Sequence, residues 1–175
     1  PVNRAVIDIP LRIRKKHSFD LLSTYEDSLT VAANFRTFFE WFREREDIEN
    51  EEKNANRDFD YYDLQLQAVR QALSRFMPEF SNIRIRRSPL RMDVDKRING
   101  NKITLSVNQL SDGEKCLMAM VGDIVRRMTI ANPQLSHPLL GQGIILIDEI
   151  DLHLHPLWQR DVVSRLTETF PNCQF

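Results

Sequence analysis

The chain holds 175 residues, 42% hydrophobic and 28% charged, with 24 Lys plus Arg against 25 Asp plus Glu. That length supports one sizeable core, and the balanced charge removes any global signal for nucleic acid or an anionic membrane, leaving room only for a local basic patch. No apolar run approaches the roughly 18 residues of a membrane span, nothing at the start resembles a signal peptide, and Cys116 and Cys173, far apart in apolar context, read as reduced core thiols of a cytoplasmic protein.

Residues 1–29 contain "RAVIDIPLRI", where Ile7, Ile9, Leu11 and Ile13 alternate in the two-residue period of a half-buried strand, and Pro10 marks that strand as an edge. Both ends read as cuts in a longer protein: the chain begins at Pro1 without a methionine, and "CQF" reads as the first residues of another strand. Val31, Phe35, Phe38 and Phe42 recur at helical spacing, with Phe39 and Trp41 widening the stripe. The charge run that follows, "REREDIENEEKNANRD", is expected to be a solvated helix end and connecting loop. Leu64, Ala68, Val69, Ala72, Leu73 and Phe76 then define one face of a second helix ending near Pro78, and the pair reads as a helical hairpin.

Three short alternating pieces come next, "NIRIRR", "RMDVD" and "KITLSV", with Asn99-Gly100 between the second and third suited to the positive φ of a tight turn. A small antiparallel meander is expected. Arg84, Arg86, Arg87 and Arg91 cluster on it, read first as a solvated strand face and, in the alternative, as a patch facing phosphate or nucleic acid.

In "QLSDGEKCLMAMVGDIVRRM", Ser111 followed three residues later by Glu114 is a capping-box pattern, and Leu117, Met118, Val121, Ile124, Val125 and Met128 continue as one helix face. The opening turn of such a helix presents unpaired N–H groups, a hydroxyl and a glycine, Gly113, which together suit an anion such as phosphate. Capping boxes are common, so this pattern alone is a weak sign. Context comes some thirty residues later. Ile144 to Ile147 has the length and branching of a fully buried central strand in a parallel sheet, and Asp148 lies at its carboxyl end, where open α/β sheets bind ligands. An apolar strand followed by Asp148-Glu149 is the Walker B pattern, in which the first carboxylate serves Mg²⁺ and the second takes a proton from attacking water. Carboxylates at the edge of such burial are costly unless a cation compensates, and a magnesium-nucleotide would. His153 and His155, two residues apart, project to opposite sides of a strand, which argues against a metal site built on both. His155 precedes Pro156 and either caps the next helix or reaches across a dimer interface; Leu157, Val162, Val163, Leu166 and Phe170 form that helix's expected apolar stripe.

The order of a Leu-Ser-x-Gly-Glu helix start, a helix, a loop and a Walker B strand resembles the ATP-binding cassette (ABC) ATPases, in their SMC, RecF and OLD-like branch. "LSDGEK" resembles the ABC signature Leu-Ser-Gly-Gly-Gln, with Asp112 in place of a glycine and Glu114 in place of the glutamine. The wording "LSDGEKCLMAMVGDIVRR" through "IILIDEIDLHLHP" more closely resembles prokaryotic AAA-type ATPases of the virulence-associated kind, which include the PtuA ATPase of Septu and ATPases of retron-linked phage defence; this covers residues 30–175 and is strongest after residue 105.

The resemblance implies an α/β fold, part of an ABC-ATPase-like head, with a parallel core sheet, flanking helices, a small antiparallel meander and a short helical insert. Residues 1–29 would be an edge strand and connection, 30–80 the helical insert, and 81–175 the meander, signature helix and Walker B strand. ATP and Mg²⁺ are the implied cofactors. Ser111, Gly113, Glu114 and His155 would contact nucleotide, with Ser111 and Gly113 reaching the γ-phosphate held by a second head; Asp148 would serve the metal and Glu149 would be the general base. "LHLHP" stands in the place of the D-loop, His155 where many family members have aspartate. The implied partners are a second copy or a higher oligomer through the signature face, a nuclease effector and nucleic acid. No Gly-x-x-x-x-Gly-Lys-Ser/Thr occurs in the 175 residues, and the family's switch histidine would fall beyond Phe175, so these residues alone are not expected to hydrolyse ATP. The expected function is ATP binding and hydrolysis by a dimerising head that gates an effector in anti-phage defence. The alternatives are a non-hydrolysing ATP-sensing or structural module, and a RecF- or SMC-like DNA-repair ATPase.

Overall fold

The computed structural model describes residues 35–151 and 154–175; the strand expected within residues 1–29, Val31 and His153 lie outside the described residues. In chain order the elements are helix α1 (Phe35–Asn56), helix α2 (Leu64–Phe76), strands β1 (Phe80–Arg87), β2 (Leu90–Ile98) and β3 (Asn101–Ser106), helix α3 (Asp112–Ala131), strand β4 (Gly143–Ile144), helix α4 (Pro156–Thr169) and strand β5 (Cys173–Gln174), with 3-10 turns at Val107–Gln109 and Pro138–Leu140. The class is mixed α/β. Among the described residues no helix is long and apolar enough to cross a membrane.

Helix α3 is the spine. Both α1 and α2 pack on it, and the seam is aromatic: Phe38, Phe39, Trp41 and Phe42 of α1 are at most 1% exposed, with the Phe38 ring 6.4 Å from Trp41 and 5.8 Å from Phe42 between centroids. Helix α1 runs on through most of the charge run, to Asn56, where a solvated helix end and loop were expected. The reason is a set of buried charges on its inner face. Both Glu46 oxygens accept the Ile85 N–H at 3.2 Å, and Arg87 lies 3.1 Å from one of them. Strand β1 is an edge of its sheet, so Glu46 takes up a donor that the ladder leaves open. Glu49 accepts the Asp63 N–H at 2.9 Å and pairs with Arg70 and Lys53, each at 3.2 Å. Burial pushes the Glu46 carboxyl above its ordinary range despite these donors. Burial also works against ionised Glu49, but there the Asp63 N–H, Arg70 and Lys53 outweigh it and hold the carboxyl low.

Helix α2 buries Leu66, Ala68, Val69, Ala72, Leu73 and Phe76. Leu64, expected on that face, is 60% exposed, because Asp63 caps the helix by accepting from Gln65 and Leu66 and so sets Leu66, not Leu64, as the first inward leucine. The meander forms as expected, in order β1-β2-β3 and antiparallel throughout. Its second turn joins Ile98 to Asn101 through Asn99 and Gly100, both with positive φ (51° and 81°), the geometry that a two-residue hairpin turn requires. Phe80, Ile83, Ile85, Met92 and Val94 supply its buried apolar face.

Strand β4 departs most from expectation. The regular strand is two residues long, Ile144 is 75% exposed and Leu146 is 90% exposed; a fully buried central strand was expected over 144–147. Among the described residues β4 pairs with β5 alone, so only Ile145 and Ile147 reach the core and the opposite face has nothing over it. The pairing is parallel, Gly143 with Cys173 and Ile144 with Gln174, extended by Ile145 N–H to the Gln174 carbonyl at 2.8 Å, and within "CQF" Cys173–Gln174 is a strand. Helix α4 buries Val162 and Leu166, with Phe170 just beyond its end, while Leu157 and Val163 of the expected stripe are 64% and 54% exposed. Its anchor to the hairpin is aromatic and cationic: Trp158 stacks on Phe76 at 6.2 Å, and Arg165 lies 4.7 Å over the Trp158 ring while donating to the Phe76 carbonyl at 2.9 Å.

Candidate functional site

The 111–114 turn is built by reciprocal capping. Ser111 adopts an extended backbone before α3, its hydroxyl accepts the Glu114 N–H at 3.4 Å, and the Glu114 carboxylate returns to the Ser111 N–H at 3.0 Å. Leu110, just before it, is 4% exposed and pins the entry to the core. Ser111 and Asp112 are exposed and Gly113 half-buried, so the first-turn N–H groups, which no helix can satisfy internally, open toward solvent beside a hydroxyl that can still donate. Asp112 reaches Lys115 at 3.3 Å. The turn can take an anion, although two acids in its first turn weaken the pull of the helix dipole.

Glu114 is committed inward. One carboxylate oxygen holds the Ser111 N–H, and the other lies 2.5 Å from the Lys96 ammonium, which itself sits 5.3 Å over the Phe80 ring. Lys96, on β2, was not singled out in the sequence: it stands 18 residues away, and only the fold brings it to the helix start. Burial disfavours the ionised carboxyl of Glu114, but the bonds from Lys96 and Ser111 outweigh it and hold the group below its ordinary range. A carboxyl depressed in the folded state stabilises the fold above its unfolded titration range and loses that contribution as pH falls through its folded value. Lys96→Met is therefore expected to lower the melting temperature by roughly 2–4 °C at pH 7, for a loss of about 1 kcal/mol. The gap to wild type should close as pH falls well below 4, which thermal scans across pH would show.

Asp148 and Glu149 follow β4 as a bend at its carboxyl end, both exposed. Glu149 has φ 47°, a left-handed conformation that costs a non-glycine residue about 1 kcal/mol or more and collects at functional positions. Among the described residues no three His, Cys, Asp or Glu side chains converge as a metal cage. One or two exposed carboxylates fit the way Mg²⁺ is held when water and nucleotide phosphate supply most of its ligands. His155 caps α4: its Nδ1 accepts the Leu157 N–H at 3.3 Å, with Pro156 at the first helical position. The 111–114 turn opens α3 and bonds to Lys96 and within itself, whereas Asp148 and Glu149 lie in the segment before α4, whose start His155 caps.

The arginines of the meander are largely paired. Arg84 lies 3.2 Å from Asp95, Arg91 2.8 Å from Asp93, and Arg87 3.1 Å from Glu46 and 2.6 Å from Asp47; Arg86 donates to the Ser88 carbonyl at 3.1 Å. Asp95 is buried, and bonds from Thr104, Asn82, Lys102 and Arg84 outweigh that burial and hold its carboxyl well below the usual range. The face is an internally compensated charge network more than an open phosphate patch.

Comparisons with known proteins bear on the site. The family described as "AAA domain, putative AbiEii toxin, Type IV TA system" matches residues 2–175. The retron Ec83 probable ATPase of Escherichia coli is 36% identical over 214 residues, covering 93% of this chain and 39% of that protein, and the retron Vc95 probable ATPase of Vibrio cholerae serotype O1 biovar El Tor is 35% identical over 200 residues, covering 93% and 38%. The Septu protein PtuA of Bacillus mycoides (strain KBAB4) is 44% identical over 69 residues, 39% of this chain and 9% of PtuA. The chain spans just under two fifths of the length of the two retron relatives.

Proposed function

The chain belongs to this AAA-domain family, and from that premise we propose that it is the signature-and-Walker-B portion of an ATPase head that binds ATP between two copies and couples hydrolysis to an effector in anti-phage defence. The observation that carries the reading is Glu149, an exposed carboxylate held at φ 47° in the bend five residues beyond the parallel strand β4, with Asp148 beside it. In this reading Asp148 holds Mg²⁺, which when bound neutralises developing phosphate charge. Glu149 accepts the proton of the attacking water. Ser111 and the first-turn N–H groups around Gly113 bind the γ-phosphate of a nucleotide seated on the other copy, a role suited to an open helix start. Glu114 shapes that turn from within, and His155 sets the start of α4 and so the direction of the segment that leads from Glu149. The chain contains no Gly-x-x-x-x-Gly-Lys-Ser/Thr, so phosphate cradling and turnover are assigned to the full-length protein. The parallel pairing of β4 and β5 supports their place in a larger parallel core sheet, which would also cover Ile144 and Leu146.

The test is the solution mass of the full-length protein with and without Mg-ATP. ATP is expected to raise the mass or tighten an existing dimer, and Ser111→Arg, which fills the open turn with a long side chain, is expected to abolish the effect while lowering the melting temperature by only roughly 2–4 °C, the cost of the lost helix cap of about 1 kcal/mol. An ATP response that survives Ser111→Arg would remove the signature role. ATP that neither binds nor changes assembly would favour a structural module.

A further inference from the structure

The link between α1 and α2 and the first residue of α2 carry three large apolar side chains in six residues that are open to solvent: Phe59 is 75% exposed, Tyr62 52% and Leu64 60%. By contrast Phe38, Phe39, Trp41, Phe42, Phe76 and Phe80 are at most 2% exposed. The exposed rings do not sit on a loose loop. Arg57, at φ 51°, ends α1; the Asp58 carboxylate accepts the Asp60 N–H at 3.1 Å and its carbonyl accepts the Tyr61 N–H at 3.3 Å. Asp63, 2% exposed, caps α2, takes the Arg45 guanidinium on its carboxylate and donates its own N–H to Glu49. The Lys53 ammonium lies 4.8 Å from the Tyr62 ring centre. Rings held on a fixed backbone lose little further freedom on binding, and aromatic residues dominate the energetics of protein interfaces.

The charge around them states what they would meet. Glu51, Glu52, Asp58 and Asp60 are exposed, and Arg57 is the exposed cation among residues 51–64. A phosphate backbone or an anionic lipid surface is repelled by such a rim. Next to Leu64, Gln65 lines a hollow of about 490 Å³ between α1, α2 and the end of α3, with Trp41, Glu44 and Ile48. Among the described residues, the meander of a second copy sets Arg84 and Arg91 over buried Asp95 and Asp93, a face of paired charge and not an apolar recess.

We propose that the α1–α2 tip is a docking site for a partner protein that offers an apolar recess framed by lysine and arginine. The rings fill the recess and the acids steer the approach, an effect that weakens with salt. The proposal does not need the nucleotide reading, and the two fail separately.

The experiment places the photo-crosslinking residue p-benzoyl-phenylalanine at Tyr62 of the full-length protein in its host cells, with the same residue at Glu79 as a control. Whatever is joined at position 62 alone is purified, and its affinity is measured. The expected result is a binding protein whose affinity falls at least about 30-fold with Phe59→Ser/Tyr62→Ser, falls with Asp58→Lys/Asp60→Lys, and declines as salt rises. ATP-driven assembly and melting temperature should be unchanged in these variants; if the wild-type protein shows no ATP-driven assembly yet still docks, the ATPase reading is at fault and the docking site stands. Crosslinks only to a second copy, no crosslink, or a captured protein that binds the Ser variants as tightly as wild type would each overturn the proposal.

Discussion

Glu149→Gln in the full-length protein is expected to lower ATP turnover by roughly 10²- to 10⁴-fold, the range lost when a positioned general base is removed, while ATP binding persists. Glutamine keeps the size of the side chain and can adopt the same backbone, so the φ of 47° is retained and the variant isolates the proton-accepting step. The bound state should then accumulate: the mass change induced by Mg-ATP would last for hours in the variant and decay as wild type consumes its nucleotide. Glu149→Gly separates strain from chemistry. Glycine tolerates the left-handed conformation, so it should raise stability by about 1 kcal/mol and lose turnover to the same extent as glutamine. Single-turnover hydrolysis together with chemical denaturation reads both. Turnover within a few-fold of wild type in Glu149→Gln would remove the base from position 149, and a destabilised Glu149→Gly would remove the strain.

Much of the candidate site is local and was therefore legible. A capping box needs only Ser111 and Glu114 three residues apart on a forming helix, and Pro156 at a helix start requires a cap just before it, which His155 supplies through Nδ1. Long-range contacts left no such trace. Nothing in "DVDKRI" announces that the Lys96 ammonium will stand 2.5 Å from Glu114, because that contact depends on the way the meander folds over the start of α3. The left-handed backbone of Glu149 was equally silent, since strain at one residue has no compositional signature.

The same division runs through the fold. The Asn99-Gly100 turn and the meander follow from local rules, and the periodicity of α1 and α2 places both helices. Periodicity failed where charge did long-range work. In "REREDIEN" the glutamates looked solvated, yet Glu46 accepts from a strand N–H at position 85, and Glu49 from the N–H of Asp63. An apolar run of four branched residues signals burial on two faces, but burial also needs neighbours, and β5 is the one strand beside β4 among the described residues. Ile144 and Leu146 show the difference between a residue's preference and the surroundings that satisfy it.

Gly122 tests the aromatic seam that sets α1 against α3. A Cβ at this position would meet the Phe38 ring at 2.7 Å from Cε2, 2.7 Å from Cζ and 2.9 Å from Cδ2, closer than real carbon contacts approach. The ring cannot swing aside, because Phe38 is fully buried against Trp41 and Phe42. Alanine is the better helix former by about 1 kcal/mol, whereas overpacking a filled core costs about 1–3 kcal/mol; the seam should win, with Gly122→Ala destabilising by about 1–2 kcal/mol and lowering the melting temperature by roughly 2–8 °C. Gly143→Ala is the contrast: its nearest atoms, Cys173 Sγ and Met128 Sδ, stand at 3.7 Å, an ordinary contact, and it should stay within about 0.5 kcal/mol of wild type. Phe38→Leu removes ring atoms from the path of the new methyl and costs stability by itself, but combined with Gly122→Ala it should cost less than the sum of the two, with a coupling of about 0.5–2 kcal/mol. Additive losses in that cycle would mean that α1 does not hold α3 through Phe38, and that the meander and α2 alone position the start of that helix.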